Sequence, residues 1–196
     1  HLKGFGFAAF FGTILLVAGG LGFTTWIAQL QAGLFPESLQ VNQMLEELID
    51  LEAFGISPLV SLLIFAVSPA VCEEVIFRGM LLSSFKKHLS PLLSVVSVAL
   101  LFGLFHLNIF RLIPTALIGL FLTYIVYQTG SIYLSVIGHA LINGLAVLLI
   151  AYPSLQPYLF WLSDDQIVHP EGLAVMSVLL VSGILLIRFS NRKESS

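Results

Sequence analysis

The chain has 196 residues, 58% of them apolar and only 10% charged, and its mean hydropathy is +1.01. A water-soluble domain carries about 25% charged residues, so the eight Lys and Arg present here cannot solvate a surface and lipid must be the solvent. With a formal net charge of −3, no basic stripe and one cysteine, the chain offers nothing to nucleic acid and cannot build an internal disulfide framework.

Residues 5–34 carry no charge and predict a first membrane span, longer than a signal-peptide core and followed by no convincing cleavage site. Phe35-Pro36 stops it. Residues 35–56 then carry Glu37, Glu46, Glu47, Asp50 and Glu52, with Met44, Leu45, Leu48, Ile49 and Leu51 among them at helical spacing, which predicts an amphipathic connecting segment lying on the interface. A second span runs from about Ser57 to Lys87. It exceeds the roughly 20 residues that a bilayer needs, so tilt, a kink or extension beyond the membrane is expected.

Ser90-Pro91 restarts the chain into a third span over about 91–110, with His106 inside it and Arg111 at its end. A fourth covers about 112–129 and stops at Thr129-Gly130; a fifth, about 131–151, contains His139 and Asn143. Tyr152, Tyr158 and Trp161 in the next loop suit an interfacial aromatic belt. A sixth span covers about 171–189. The expected fold is all-α: one polytopic membrane domain over 1–196, a bundle of about six transmembrane helices around an intramembrane polar cavity. With the N-terminus cytoplasmic, Lys3, Lys86, Lys87, Arg188, Arg192 and Lys193 share the cytoplasmic flank and Arg111 stands alone on the other, a positive-inside pattern that places both termini in the cytoplasm.

The second span contains Pro69-Ala70-Val71-Cys72-Glu73-Glu74-Val75-Ile76-Phe77-Arg78. A charge near the bilayer centre costs about 2.5–3.5 kcal/mol on insertion scales, so such residues face an interior and have a partner. On a helix Glu74 and Arg78 are i, i+4 and can pair. Glu73 points about 100° away and stays available for chemistry. Pro69 has no N–H and clashes with the carbonyl of Phe65, so a kink is expected there.

Glu73, Glu74, His106, His139 and Asn143 form the strongly polar set of the long spans. Singly they read blandly. A lone intramembrane His is usually a hydrogen-bonded structural residue, a Glu–Arg pair usually a clamp, an Asn usually interhelical glue, and Cys72 a small core residue. Together they read as a site. Counted from the cytoplasmic ends, Glu73 and His106 lie about 20 Å deep and His139 about 13 Å, a mismatch that needs tilt. Phe102 and His106, like His139 and Asn143, share one helix face. A carboxylate beside an imidazole can activate water, and a second imidazole with an amide can stabilise an oxyanion. Alternatively Glu73, His106 and His139 could hold Zn²⁺ with an open position for water. Either route hydrolyses an amide or ester. A thiol nucleophile at Cys72 is disfavoured by the two carboxylates beside it.

Glu73-Glu74-x-x-x-Arg78, then Phe102-x-x-x-His106, then His139-x-x-x-Asn143, in this order on separate apolar spans, resembles the CAAX-protease and bacteriocin-processing (CPBP, or Abi) family of intramembrane endopeptidases, which includes CAAX prenyl protease type 2. The hydrophobic layout extends the likeness over about 57–189. The resemblance implies a membrane-embedded peptidase in which Glu73 and His106 activate water, His139 and Asn143 stabilise the oxyanion or help hold the water, and Glu74 and Arg78 order the site. It implies a membrane-associated peptide or protein as substrate, prenylated or bacteriocin-like, and a bacterial plasma membrane as the setting, with membrane-protein partners open. A metalloprotease label travels with the family, which keeps Zn²⁺ open. The competing readings are a non-catalytic membrane scaffold that keeps the polar cluster as glue, and a proton-coupled transporter. An enzyme would show a water-filled cavity, open to the cytoplasmic side and lined by the acid pair, both His and the Asn.

Overall fold

The computed structural model describes residues 3–38, 40, 56–159 and 168–195, which are helical and contain no extended strand. Six helices follow in order: α1 (Phe7–Leu34), α2 (Pro58–Phe85), α3 (Pro91–Phe105), α4 (Leu112–Thr129), α5 (Ile132–Ala151) and α6 (Pro170–Ser195), with a 3₁₀ turn at Pro153–Tyr158. All but α3 are long and apolar enough to cross a membrane. Their outer faces are apolar as well: Leu59, Met80, Leu92 and Leu185 are exposed, as expected of side chains that meet lipid rather than water. The structure is an all-α bundle of the kind the sequence predicts. Most of the amphipathic segment expected over 35–56, and Trp161 of the aromatic belt, lie outside the described residues.

Local chemistry sets the helix ends. Ser57 and Ser90 cap α2 and α3 by accepting the N–H of Val60 and of Leu93, each at 3.4 Å, and each is followed by a proline at the first helical position. Gly130, at φ 71°, closes α4 in the left-handed region and turns the chain straight into α5.

Two ends differ from expectation. The third helix stops at Phe105, so His106 caps it instead of lying within it. Leu107 takes a left-handed φ of 50°, and the Asn108 side chain accepts the Phe110 N–H at 3.0 Å, a local turn that competes with further helix. At 15 residues α3 covers only about 22 Å, whereas the 20 residues of α5 cover about 30 Å. The sixth helix runs on through Asn191 to Ser195, beyond the apolar stretch.

Pro69 is accommodated by widening. The stretch Leu62–Val67 is π-helical, with the Ser68 N–H reaching back five residues to the Leu63 carbonyl, and Val75–Leu81 is π-helical as well. A π-turn absorbs the missing N–H, and such turns recur at functional sites. Between the two wide segments lies Ser68–Glu74, the α-helical stretch that carries both carboxylates.

α1 and α6 pack antiparallel at very short range. A Cβ on Gly183 would fall 2.5 Å from the Leu16 nitrogen and 2.7 Å from the Gly12 carbonyl oxygen. Leu16, Leu122, Ile125, Leu134 and Ile187 form the core that joins α1, α4, α5 and α6. A second core, with Phe77, Leu82, Val98, Phe102 and Val126, joins α2, α3 and α4. Overpacking a tight contact costs about 1–3 kcal/mol, so Gly183→Leu is expected to lower the thermal unfolding midpoint in detergent by several degrees. An unchanged midpoint would show that α1 and α6 are not held at this distance in solution.

Candidate active site

The site begins with one buried carboxylate. Glu74 and Arg78, both fully buried on α2, are joined by a 2.7 Å bond from Arg78 Nη1 to Glu74 Oε1. The guanidinium is otherwise consumed by α4: Nη2 donates to the Gly119 carbonyl at 3.0 Å and Nε to Thr123 Oγ1 at 3.2 Å. The Phe102 ring of α3 covers it at 4.4 Å. One charge thus fastens three helices. A buried ion pair is tolerable only when its polar atoms find partners; here each guanidinium nitrogen has one, while Glu74 Oε2 has none among the described residues.

The same oxygen, Glu74 Oε1, lies 2.9 Å from His139 Nδ1 on α5. A carboxylate only accepts, so Nδ1 carries the proton and Nε2 is turned toward Glu73, 3.9 Å from its Oε2. Glu73 is one-fifth exposed, and its Oε2 has no hydrogen-bond partner among the described residues. Of the adjacent carboxylates, Arg78 therefore holds Glu74 and leaves Glu73, the division their helical spacing predicts.

His106 reaches the site from the end of α3. Its Nδ1 donates to the Phe102 carbonyl at 2.9 Å, which leaves Nε2 with the lone pair. The Phe102 ring packs edge-on against both imidazoles, with centroids 5.1 Å from His106 and 5.6 Å from His139. One aromatic ring thus neighbours both imidazoles.

A cavity of about 400 Å³ adjoins these groups, and His106, His139 and Asn143 line it together. Two expectations need correction. Glu73 is not among the lining residues and meets the group through His139. The cavity also extends toward Arg111, Leu149 and Leu159, away from the ends bearing Lys3, Lys86 and Lys87, where a cavity on the basic side was expected. The reason lies in α3: its short length leaves space above His106 between α1, α4 and α5. Glu73, His106 and His139 do not form a metal site as placed. Among the described residues no three His, Cys, Asp or Glu side chains stand close enough to share an ion, so the donors do not fit Zn²⁺.

Sequence reasoning missed Thr123 and the Gly119 carbonyl as partners of Arg78, and Arg111, Thr25 and Thr115 as cavity residues. A lone Thr in an apolar span is a weak signal, and a backbone carbonyl leaves none.

Removing one partner of a buried ion pair costs about 3–5 kcal/mol. Arg78→Leu is therefore expected to unfold the protein in detergent or to cut its yield severely, whereas Arg78→Lys, which can still pair but lacks the fork, keeps part of the stability. Equal melting of Arg78→Leu and wild type would contradict the arrangement.

The chain matches the family model described as type II CAAX prenyl endopeptidase Rce1-like over residues 55–145, a stretch that carries Glu73, Glu74, Arg78, His106, His139 and Asn143. No curated protein and no solved structure matches the chain. The match ends before α6 and begins after α1, so α2 to most of α5 is the shared part. Over this stretch the chain is similar to CAAX-type membrane endopeptidases, and five of its helices are long and apolar enough to cross a membrane.

Proposed function

We propose that the protein is an intramembrane endopeptidase that hydrolyses a peptide bond of a membrane-associated peptide with a water activated by Glu73 and His106. The observation that carries this reading is the shared Glu74 oxygen: it ties down Arg78 and one nitrogen of His139 while the other nitrogen faces the unpartnered Glu73 oxygen.

In this reading Glu73 and His106 Nε2 accept the water proton as hydroxide attacks the scissile carbonyl. His139, with Nδ1–H kept on Glu74, offers Nε2–H in its protonated form to the developing oxyanion, and the Asn143 amide donates beside it. Glu74 and Arg78 act by orientation: with both locked, the imidazole spends no energy on reorganisation during the reaction. The proton then passes to the leaving amine.

An apolar groove of about 480 Å³ supports a substrate that comes from lipid. It runs between Ile14 and Val17 of α1, Leu62 of α2 and Leu141 of α5, and shares Leu21, Ile142 and Leu145 with the polar cavity. A prenylated CAAX-type tail or an apolar bacteriocin-like peptide would suit such a path. In the orientation favoured by the basic flanks, with both termini cytoplasmic, the cavity lies in the half of the bilayer away from the cytoplasm.

Loss of general acid–base groups reduces rates by about 10²–10⁴-fold. Glu73→Gln and His106→Gln are expected to abolish detectable cleavage while inserting into the membrane at wild-type yield, and His139→Gln to abolish cleavage with some loss of stability, since it also removes the partner of Glu74. Comparing membrane peptides from cells carrying wild type or Glu73→Gln would reveal the substrate as a peptide that accumulates uncut in the variant. Identical peptide profiles, with the variants losing stability together, would favour a scaffold whose polar cluster is interhelical glue.

A further inference from the structure

α4 carries none of the Glu, His or Asn side chains of the site, yet Arg78 turns two of its three guanidinium nitrogens toward it. The ion pair with Glu74 is a single bond, from Nη1 to Oε1 at 2.7 Å. A guanidinium held at one nitrogen can pivot about that contact on its long, flexible side chain. The other two nitrogens stop the pivot: Nε donates to Thr123 Oγ1 at 3.2 Å and Nη2 to the Gly119 carbonyl at 3.0 Å. A planar fork bonded at all three nitrogens is left with one orientation.

The Thr123 hydroxyl can only accept from Arg78. It has one proton, and that proton goes to the Gly119 carbonyl one turn back on α4, at 2.6 Å. Its lone pairs therefore remain for the arginine. Thr123 and Arg78 are both fully buried, and the Phe102 ring covers the guanidinium at 4.4 Å, so bulk water does not reach Nε to take the place of the hydroxyl.

The contacts then run in series from Thr123 to Arg78, Glu74 and His139. Arg78 and His139 share one oxygen of Glu74, so a guanidinium that swings draws Oε1 with it, and the imidazole loses the acceptor that keeps its proton on Nδ1. Without that acceptor either ring nitrogen can carry the proton, and Nε2 is no longer held toward Glu73. We propose that Thr123 is a positioning residue of the reaction: by accepting the Arg78 Nε–H it fixes the guanidinium, through it the Glu74 oxygen, and through that oxygen the tautomer and aim of His139. The inference rests on the proposed hydrolysis for its kinetic arm, while its spectroscopic arm does not depend on turnover.

The test compares Thr123→Val, which keeps the shape and removes the oxygen, with Thr123→Ser, which keeps the oxygen, in full-length protein. Thr13→Val is the control: Thr13 is equally buried on α1, and its hydroxyl bonds the Ala9 carbonyl of its own helix at 2.9 Å. With isotope-labelled histidine, heteronuclear NMR is expected to show His139, identified by its loss in His139→Gln, as a single Nδ1–H tautomer in wild type, Thr123→Ser and Thr13→Val, and as a mixture of tautomers in Thr123→Val. On a quenched fluorescent peptide with the sequence that accumulates uncut in Glu73→Gln cells, Thr123→Val should lower kcat by as much as about 10²-fold with KM unchanged, the penalty of a small misplacement, and Thr123→Ser should restore most of it. If Thr123→Val is not recovered folded, Thr123→Cys, whose thiol is a weak acceptor, is measured in its place with the same expectation. A fixed Nδ1–H tautomer with wild-type kcat in Thr123→Val, or an equal loss in Thr13→Val, would overturn the assignment. The two ideas fail separately: cleavage by the wild type with a His139 signal that ignores Thr123→Val sinks the positioning role alone, and a His139 tautomer that follows Thr123 in a protein that cuts nothing sinks the peptidase alone.

Discussion

The bundle depends on one fully buried carboxylate, Glu74. Its Oε1 serves Arg78 at 2.7 Å and His139 at 2.9 Å, and the arginine passes the obligation to Gly119 and Thr123 of α4 and to the Phe102 ring of α3. Each of these groups costs several kcal/mol to bury alone, and none can leave without stranding the others. The network thus selects the relative placement of α2, α3, α4 and α5 at their polar midpoints, a selection that lipid-facing Leu and Val side chains cannot make, because lipid is as apolar as they are.

Small residues and wide turns let the helices come close enough for that network. A Cβ on Gly103 would meet the Leu112 carbonyl at 2.8 Å, so its absence lets α3 lie directly against α4. A Cβ on Gly119 would press on Phe102 and the Ala99 carbonyl, and bare Gly119 offers its own carbonyl to Arg78. The π-helical stretches of α2 on either side of Ser68–Glu74 supply the remaining freedom. Packing by small residues and irregular backbone beside polar groups are the usual means by which membrane bundles admit a polar site.

Helices α1 and α6 lie outside the family-matched segment, yet they shape the site. α1 supplies Leu21 and Thr25 to the cavity wall and, through Gln31, holds the α3–α4 connection; Gln29 accepts the Val168 N–H ahead of α6 at 3.0 Å. α6 packs along α1 and shares its core. The shared segment would thus carry the reacting groups and the outer helices the shape of the space around them, a division that would let substrate preference vary while the chemistry is kept.

Much was legible in the amino-acid sequence. Uncharged runs, Ser-Pro starts and Thr129-Gly130 gave the helices to within a few residues, because in lipid every backbone group must be bonded within its own helix and hydropathy alone then marks the spans. The i, i+4 spacing of Glu74 and Arg78 predicted which acid would be held, since helical geometry is local. The tertiary structure decided what is not local. It made Phe102 the common neighbour of both imidazoles, brought Thr123 and a bare carbonyl to Arg78, ended α3 at His106, and put the cavity on the Arg111 side of the bundle. Those outcomes depend on helix depth and rotation, and these follow from packing among several spans rather than from the composition of any one of them.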